Sequence, residues 1–236
     1  MHPLRCCLVN CSLGFEMIVC LDGPAGSGKS TISKIVAERT GMVHLDTGAF
    51  YRSLALSAKQ LACSWNDESG LVKVADTLKI TFKTQAKQNL VLVNDVDVSV
   101  AIRTPEMGNG ASAVSKHKAV RAKLVKLQQE FAKNNSLVCE GRDAGTVIFP
   151  DAELKIYLDA SLEERARRRF KDFDESGNRQ KLEDVMHDIE KRDFDDSNRE
   201  ASPLKKAADA RILDTTNLTP EQVVNTIIEW IEEYAS

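Results

Sequence analysis

Asp22-Gly23-Pro24-Ala25-Gly26-Ser27-Gly28-Lys29-Ser30-Thr31 is the stretch that decides the reading of this chain. From Gly23 to Ser30 it fits G-x-x-x-x-G-K-[ST], the phosphate-binding loop that joins a strand to a helix. An apolar run, Met17-Ile18-Val19-Cys20-Leu21, precedes it, and a helix-forming stretch from Thr31 to Arg39 follows. Gly23, Gly26 and Gly28 allow the backbone to wrap so that successive N–H groups point at an anion. The helix N-terminus adds partial positive charge at the same place. Lys29 is expected to reach the β- and γ-phosphates, and the Ser30 hydroxyl to ligate Mg²⁺. The loop implies a nucleoside triphosphate without saying what is done with it.

The rest of the chain bounds the answer. It has 236 residues, 42% of them hydrophobic, enough for one substantial core. A formal net charge of -3 lacks the basic footprint of a nucleic-acid binder. No apolar run approaches the roughly 18 residues of a membrane span. The six cysteines, Cys6, Cys7, Cys11, Cys20, Cys63 and Cys139, form no C-x-x-C pair. They are read as reduced thiols of a cytoplasmic protein; zinc at Cys6, Cys7 and Cys11 would need a fourth ligand. Residues 1–16, with one Arg followed by apolar residues, loosely resemble a signal peptide. They are read instead as an N-terminal extension outside the fold.

Downstream, Val43-His44-Leu45-Asp46-Thr47-Gly48 reads as a short strand ending in a polar turn, and Ala49 to Leu56 as a helix. Leu61 to Val100 differs in character. Leu78-Lys79-Ile80-Thr81-Phe82 and Leu90-Val91-Leu92-Val93 alternate with period two, and Asn94-Asp95 is a turn signal before Val96-Asp97-Val98. This predicts a small antiparallel sheet inserted into the core. Pro105 opens a helical region to about Lys133, in which Gly108 and Gly110 suggest a late start or a bend. Leu137-Val138-Cys139 and Leu154 to Leu158 read as strands, Ser161-x-x-Glu164 as a capping box, Ile212-Leu213 as a weak last strand and Pro220 to Tyr234 as a closing amphipathic helix. Strands alternating with helices predict a parallel α/β core. In such a core ligands sit beyond the carboxyl ends of the strands, which places the loop, Asp46-Thr47, Arg142-Asp143 and Asp159 near one edge.

Arg52, Arg103, Arg121, Arg142, Arg192 and Arg199 fall near that edge. Each alone could make a surface salt bridge. Together they suit phosphoryl transfer, whose transition state spreads charge over several oxygens. A phosphate acceptor is already an anion and needs cations rather than a general base. The four histidines, His2, His44, His117 and His187, are scattered and suggest no base. Arg165-Ala166-Arg167-Arg168-Arg169, followed by Asp172, Asp174 and Glu175, reads either as a charged helix or as a lid that closes over the donor and excludes water.

With these residues in view the chain resembles the bacterial cytidylate kinase family, nucleoside monophosphate kinases, from about Met17 to its C-terminus. The resemblance rests on Asp22 to Thr31, on Leu45-Asp46-Thr47-Gly48-Ala49-Phe50-Tyr51-Arg52, on Gly141-Arg142-Asp143-Ala144-Gly145-Thr146-Val147-Ile148-Phe149-Pro150, on Lys155-Ile156-Tyr157-Leu158-Asp159-Ala160, and on Arg192-Asp193 through Asn198-Arg199. It implies a P-loop kinase core, 17–60, 101–160 and 200–236, with a parallel sheet flanked by helices. A monophosphate-binding insert of antiparallel strands, about 61–100, and a helical lid, about 161–199, complete a single domain. It also implies transfer of the γ-phosphate of ATP to CMP or dCMP, with Mg²⁺. A monomer is expected on a separate ground, that no helix shows a broad spare apolar face. By the same resemblance Gly23 through Thr31 would bind ATP, with Arg165 and Arg169 approaching from the lid. Thr47, Arg52, Arg142 and Arg192 would hold the acceptor phosphate, and Ser112, Arg121 and Asp143 would read the cytosine edge. Asp196 and Arg199 would contact the sugar. Lys29, Arg142 and Arg192 would be the catalytic cations. Phe194, Asp195 and Ser197 stand where some relatives are more basic. Asp22, Asp46 and Glu140 are all candidates to position the metal.

Other readings remain open on the sequence. A small P-loop kinase could take a uridylate, a deoxynucleoside or a shikimate-type acceptor. A GTPase switch should carry N-K-x-D, which is absent here. A motor ATPase should have a strand ending in adjacent acidic residues, of which Val138-Cys139-Glu140 is a faint echo.

Overall fold

The computed structural model of the protein describes residues 17–85, 88–133, 135–175 and 180–235. The extension 1–16, with Cys6, Cys7 and Cys11, lies outside them.

Five strands, β1 (Ile18–Asp22), β2 (Val43–Asp46), β6 (Leu137–Gly141), β7 (Leu154–Asp159) and β8 (Arg211–Asp214), form a parallel sheet in the order β2-β6-β1-β7-β8. Alternation along β1 explains how both faces are covered. Val19 and Leu21 pack with Ile32 and Val36 of α1 (Lys29–Thr40) and Val224 and Ile227 of α8 (Pro220–Ala235). Cys20 points the other way, onto Leu54 of α2 (Thr47–Gln60) and Leu124 of α5 (Lys118–Ala132). Full burial of each such Leu or Ile stabilises the fold by about 1.5–3 kcal/mol. With both faces largely apolar, most polar chemistry is left to the strand ends. β1 sits where the chain turns from filling one side of the sheet to filling the other, the place where such sheets open a crevice.

The antiparallel sheet expected after residue 61 is present as β3 (Ile80–Gln85), β4 (Gln88–Val93) and β5 (Val96–Asp97). Asn94 and Asp95 both have positive φ (50° and 66°), as a two-residue type I′ turn requires. The segment also holds a helix that strand periodicity did not predict, α3 (Glu68–Asp76), which Asp67 caps through the Gly70 amide at 3.0 Å. Leu71, Val74 and Ala75 are its buried stripe.

The helical region after Pro105 is two helices, α4 (Pro105–Val114) and α5. It does not start late: Thr104 caps α4, accepting from the Met107 amide. Gly110 is there for packing. A Cβ would lie 2.7 Å from Trp65 Cζ2 and 2.9 Å from Ala55 Cβ, whereas at Gly108 it would meet nothing within 4 Å. The break before α5 is held from a distance, by Glu68 accepting the Ala119 amide at 2.8 Å and His117 Nε2 meeting Trp65 O at 2.9 Å.

α6 (Leu162–Glu175) and α7 (Leu182–Asn198) form the last pair. Half of the expected capping box exists: Ser161 Oγ accepts the Glu164 amide, but Thr216 takes the Ser161 amide, and Glu164 instead holds Arg167 and Arg168. Cys20, Cys63 and Cys139 are free thiols. No helix among the described residues is long and apolar enough to cross a membrane.

Gly110→Val should overpack the α2–α4 crossing and lower stability by about 1–3 kcal/mol. Gly108→Ala, in open helical space, should raise it by about 0.4–1 kcal/mol. Urea unfolding of both variants checks the pair; equal effects would mean that Trp65 does not constrain Gly110.

Candidate active site

A cleft of about 820 Å³ opens over the carboxyl ends of the strands, lined by Ala25 to Ile32, by residues of α2 and α4, by the turn after β6, and by α6 and α7. The loop is built as its glycines predict. Gly23 passes so close to β7 that a Cβ would lie 2.0 Å from Leu158 O, and Gly26, at φ +77°, would place one 2.8 Å from Arg165 O. Lys29 is buried, its Nζ donating to Pro24 O at 2.6 Å and Ser27 Oγ at 3.1 Å. Burial, then repulsion from Arg142, holds its pKa well below the ordinary lysine value.

The three acidic candidates for metal positioning separate. Asp22 is committed to backbone: its oxygens accept the amides of Ala144 and Gly145 at 2.9 and 2.8 Å, tying β1 to a π-type turn over Ala144–Ile148. Asp46 caps α2 through the Ala49 amide and pairs with Arg52 at 2.6 Å and Arg103 at 3.0 Å. Burial alone would raise the Asp46 pKa, but the two guanidinium groups outweigh it and hold it at about 2. Glu140 is the one that meets the loop, accepting from Ser30 Oγ at 2.5 Å.

The expected acceptor residues converge. Thr47, Arg52, Ser112, Arg121, Arg142, Asp143, Arg192, Asp196 and Arg199 all line the cleft. Thr47 Oγ1 donates to Glu140 O at 2.8 Å. Arg121 and Asp143 form a buried ion pair, with Arg199 at 3.7 Å from the same carboxylate and the Arg121 guanidinium 5.2 Å from the centre of the Tyr51 ring. Asp196 pairs with Arg142 at 3.0 Å and Arg199 at 3.4 Å. The Arg192 pKa falls to about 10, through burial first and then repulsion from Arg142. Arg103 joins this group through Asp46, a pairing between distant segments that no local motif signals.

One expected placement differs. Arg169 lines the cleft, and so do Arg167 and Arg168, but Arg165 does not. It is buried in the first turn of α6, bonded to Ala160 O, to Ala25 O at 2.8 Å and to Asp193, whose other oxygen accepts the Ala25 amide at 2.8 Å. Ala25 thus has both backbone groups clasped from the α6–α7 pair. Depth along the helix axis decides this: residues one turn beyond Arg165 reach the opening. Arg168 does so with its guanidinium bonded to Glu164, Thr215 Oγ1 and Thr215 O. Gly23 and Pro24 do not line the cleft, and Pro24 serves through its carbonyl.

A sequence model of the family described as cytidylate kinase matches residues 19–233. The cytidylate kinase of Lactobacillus gasseri is 50% identical over 221 residues, covering 94% of this chain and 96% of that protein. That of Lactobacillus johnsonii is 48% identical with the same coverage. Among solved structures, an uncharacterized protein from Eubacterium ventriosum superposes with a TM-score of 0.53 at 12% identity, over 92% of this chain and 99% of that one, which is a likeness of fold.

Burial raises the Asp22 pKa to about 6, against the pull of the Gly145 and Ala144 amides. Since its unfolded value is about 3.9, the native state binds this proton more tightly. Its stabilising contribution is complete below about pH 4 and lost as pH rises through about 6. Asp22→Asn removes the titration. The stability of the wild type minus that of the variant, from urea unfolding, should therefore fall by about 2–3 kcal/mol between pH 4 and 7. A constant difference would show that Asp22 titrates normally.

Proposed function

The chain belongs to the cytidylate kinase family, and from that premise we propose how its cleft moves the γ-phosphate of ATP onto CMP or dCMP. The observation that carries the proposal is one of placement. A triphosphate loop and a buried Arg121–Asp143 pair open into the same cavity.

ATP lies with its phosphates on the amides from Gly26 to Thr31, Lys29 reaching the β- and γ-oxygens. Arg168 and Arg169 approach from the lid, here α6 and α7 (about 161–199), while Arg165 holds the loop from beneath. The core comprises 17–60, 101–160 and 200–236, and α3 with the small sheet (about 61–100) forms the monophosphate-binding insert. The CMP phosphate lies against Arg52, Arg142 and Arg192, with Arg103 beside them; Thr47 turns from Glu140 O to donate to it. An oxygen of that phosphate, already anionic near pH 7, attacks the γ-phosphorus. The new O–P bond forms as the bond to the bridging oxygen of ADP breaks, and no general base is needed. Lys29, Arg142 and Arg192 stabilise the charge spread over the transferring group.

Asp143 accepts from the cytosine amino group, Arg121 donates to the ring N3 and carbonyl, and Ser112 lines the same wall. Uracil presents the opposite pattern at the amine and N3. Asp196 and Arg199 face the sugar. Ser30 and Glu140 offer a hydroxyl and a carboxylate in mutual contact, a hard-oxygen pair that suits Mg²⁺ carried largely by phosphates and water. Bound there, Mg²⁺ would neutralise charge on the β- and γ-oxygens. The protein acts as a cytoplasmic monomer.

With Mg-ATP and a coupled readout of ADP release, kcat/KM for CMP and dCMP should exceed that for UMP or AMP by at least about 100-fold, since a mismatched base leaves buried polar groups unpaired. Equal rates with UMP would overturn the cytosine assignment. Asp143→Ala should raise KM for CMP by about tenfold or more, the loss of hydrogen bonds to a charged group, with KM for ATP nearly unchanged. A larger effect on ATP would reverse the donor and acceptor halves of the cleft.

A further inference from the structure

His44 has no part in the reading above, yet it is buried at the middle of β2, its register partner on β6 being Val138. Side chains alternate along strands, so His44, Val138 and Glu140 share the sheet face on which α1 packs. Four polar groups there form a closed circuit. Ser33 Oγ is 2.9 Å from His44 Nε2, His44 Nε2 is 3.2 Å from Glu140 Oε1, and Glu140 Oε2 accepts from Ser30 Oγ at 2.5 Å. Ser30 and Ser33 lie one turn apart on α1, so the circuit returns to the helix it left.

Proton inventory fixes its direction. An ionised carboxylate only accepts. A bare Nε2 taking a proton from Ser33 would set its lone pair beside Glu140 Oε1; with the hydrogen on Nε2, that one hydrogen is shared between Ser33 Oγ at 2.9 Å and Glu140 Oε1 at 3.2 Å. Ser33 then receives at this contact and directs its own hydrogen to Ser30 O, 3.4 Å away. A glutamate side chain has several free torsions, and holding one rotamer costs entropy. A donor on one oxygen selects the rotamer that leaves the other facing Ser30.

We infer that His44 is a positioning residue for the P-loop hydroxyl: its Nε2–H holds Glu140 so that Oε2 takes the Ser30 proton, turning the Ser30 lone pair into the cleft toward a divalent cation on the triphosphate. This rests on the reading of Ser30 as the metal-facing hydroxyl. Metal-binding side chains held by such outer partners lose their geometry when the partner is removed.

Calorimetric titration with ADP, in the presence and absence of Mg²⁺, measures the gain in affinity that the metal brings, without turnover. In His44→Leu that gain should fall by about tenfold, while metal-free ADP affinity and KM for CMP stay within about twofold. His44→Asn, polar but too short to reach Glu140, should behave in the same way and serves if the leucine variant does not fold. His44→Gln, whose amide reaches further, should keep most of the gain. An undiminished gain in the Leu or Asn variant overturns the inference, as does a loss in Gln equal to that in Asn, which would signal packing rather than the donor. Ser30→Ala separates the two readings. If it leaves the gain intact, the metal role of Ser30 fails; if it abolishes the gain while His44→Leu does not, only the inference about His44 fails.

Discussion

Repulsion among the cations of the cleft is the constraint on which the rest of this structure turns. Arg142 lowers the affinity of both Lys29 and Arg192 for protons, and Arg192 adds to the effect on Lys29. Folding must hold them together without help from substrate. The protein does so with fixed acceptors: Pro24 O and Ser27 Oγ around Lys29, and Asp196 at Arg142. Pro24 and Ser27 lie in the loop anchored between β1 and α1, and Asp196 lies on α7, so the framework around the parallel sheet keeps like charges adjacent. The acceptor-side motif around Asp46 follows the same logic, with a helix-capping carboxylate shared between Arg52 and Arg103.

Two carboxylates at strand ends on either side of β6 show how sharply burial and partners divide labour. Burial raises the pKa of Asp22 although backbone amides pull it down, and those amides join β1 to the turn that carries Arg142 and Asp143. Asp46 meets guanidinium groups and its pKa falls to about 2. Neither reaches Ser30, and Glu140 does. The loop is also gripped on its outer side by Arg165 and Asp193 at Ala25, with Ala166, Val185 and Ile189 packed against the same residue. The P-loop is therefore tied to the base of α6 and α7.

The sheet, the loop, the β3–β4–β5 meander and the convergence of Arg52, Arg121, Arg142, Asp143, Arg192 and Arg199 were legible in the sequence, because strand period, glycine spacing and motif order are local signals. What escaped depends on contacts between distant segments. The stripe of α3 is only three residues, Leu71, Val74 and Ala75, and reads as helix once Asp67 is recognised as its cap. The break before α5 contains neither Gly nor Pro and is maintained by Glu68 and Trp65 from elsewhere. Gly110 looked like a helix defect because its reason, the edge of Trp65, lies outside the helix. Arg165 and Arg168 sit in one basic run, and only the docking of α6 onto Ala25 shows which is structural. His44 carried no motif at all.

The carboxylate partners of the acceptor-side arginines also bear on what the cleft refuses. An anion approaching Arg52 or Arg142 must displace or share Asp46 or Asp196 rather than fall onto unpaired charge. Chloride, sulfate and inorganic phosphate face that competition with nothing further to gain. A nucleotide has a base to set against Arg121 and Asp143, and can offset the exchange at the far wall. On the proposed reading of the cleft, the acidic residues woven among the arginines set a filter against the salts of the cell, giving up raw affinity for anions in return for discrimination between a phosphate and a phosphate that carries a base.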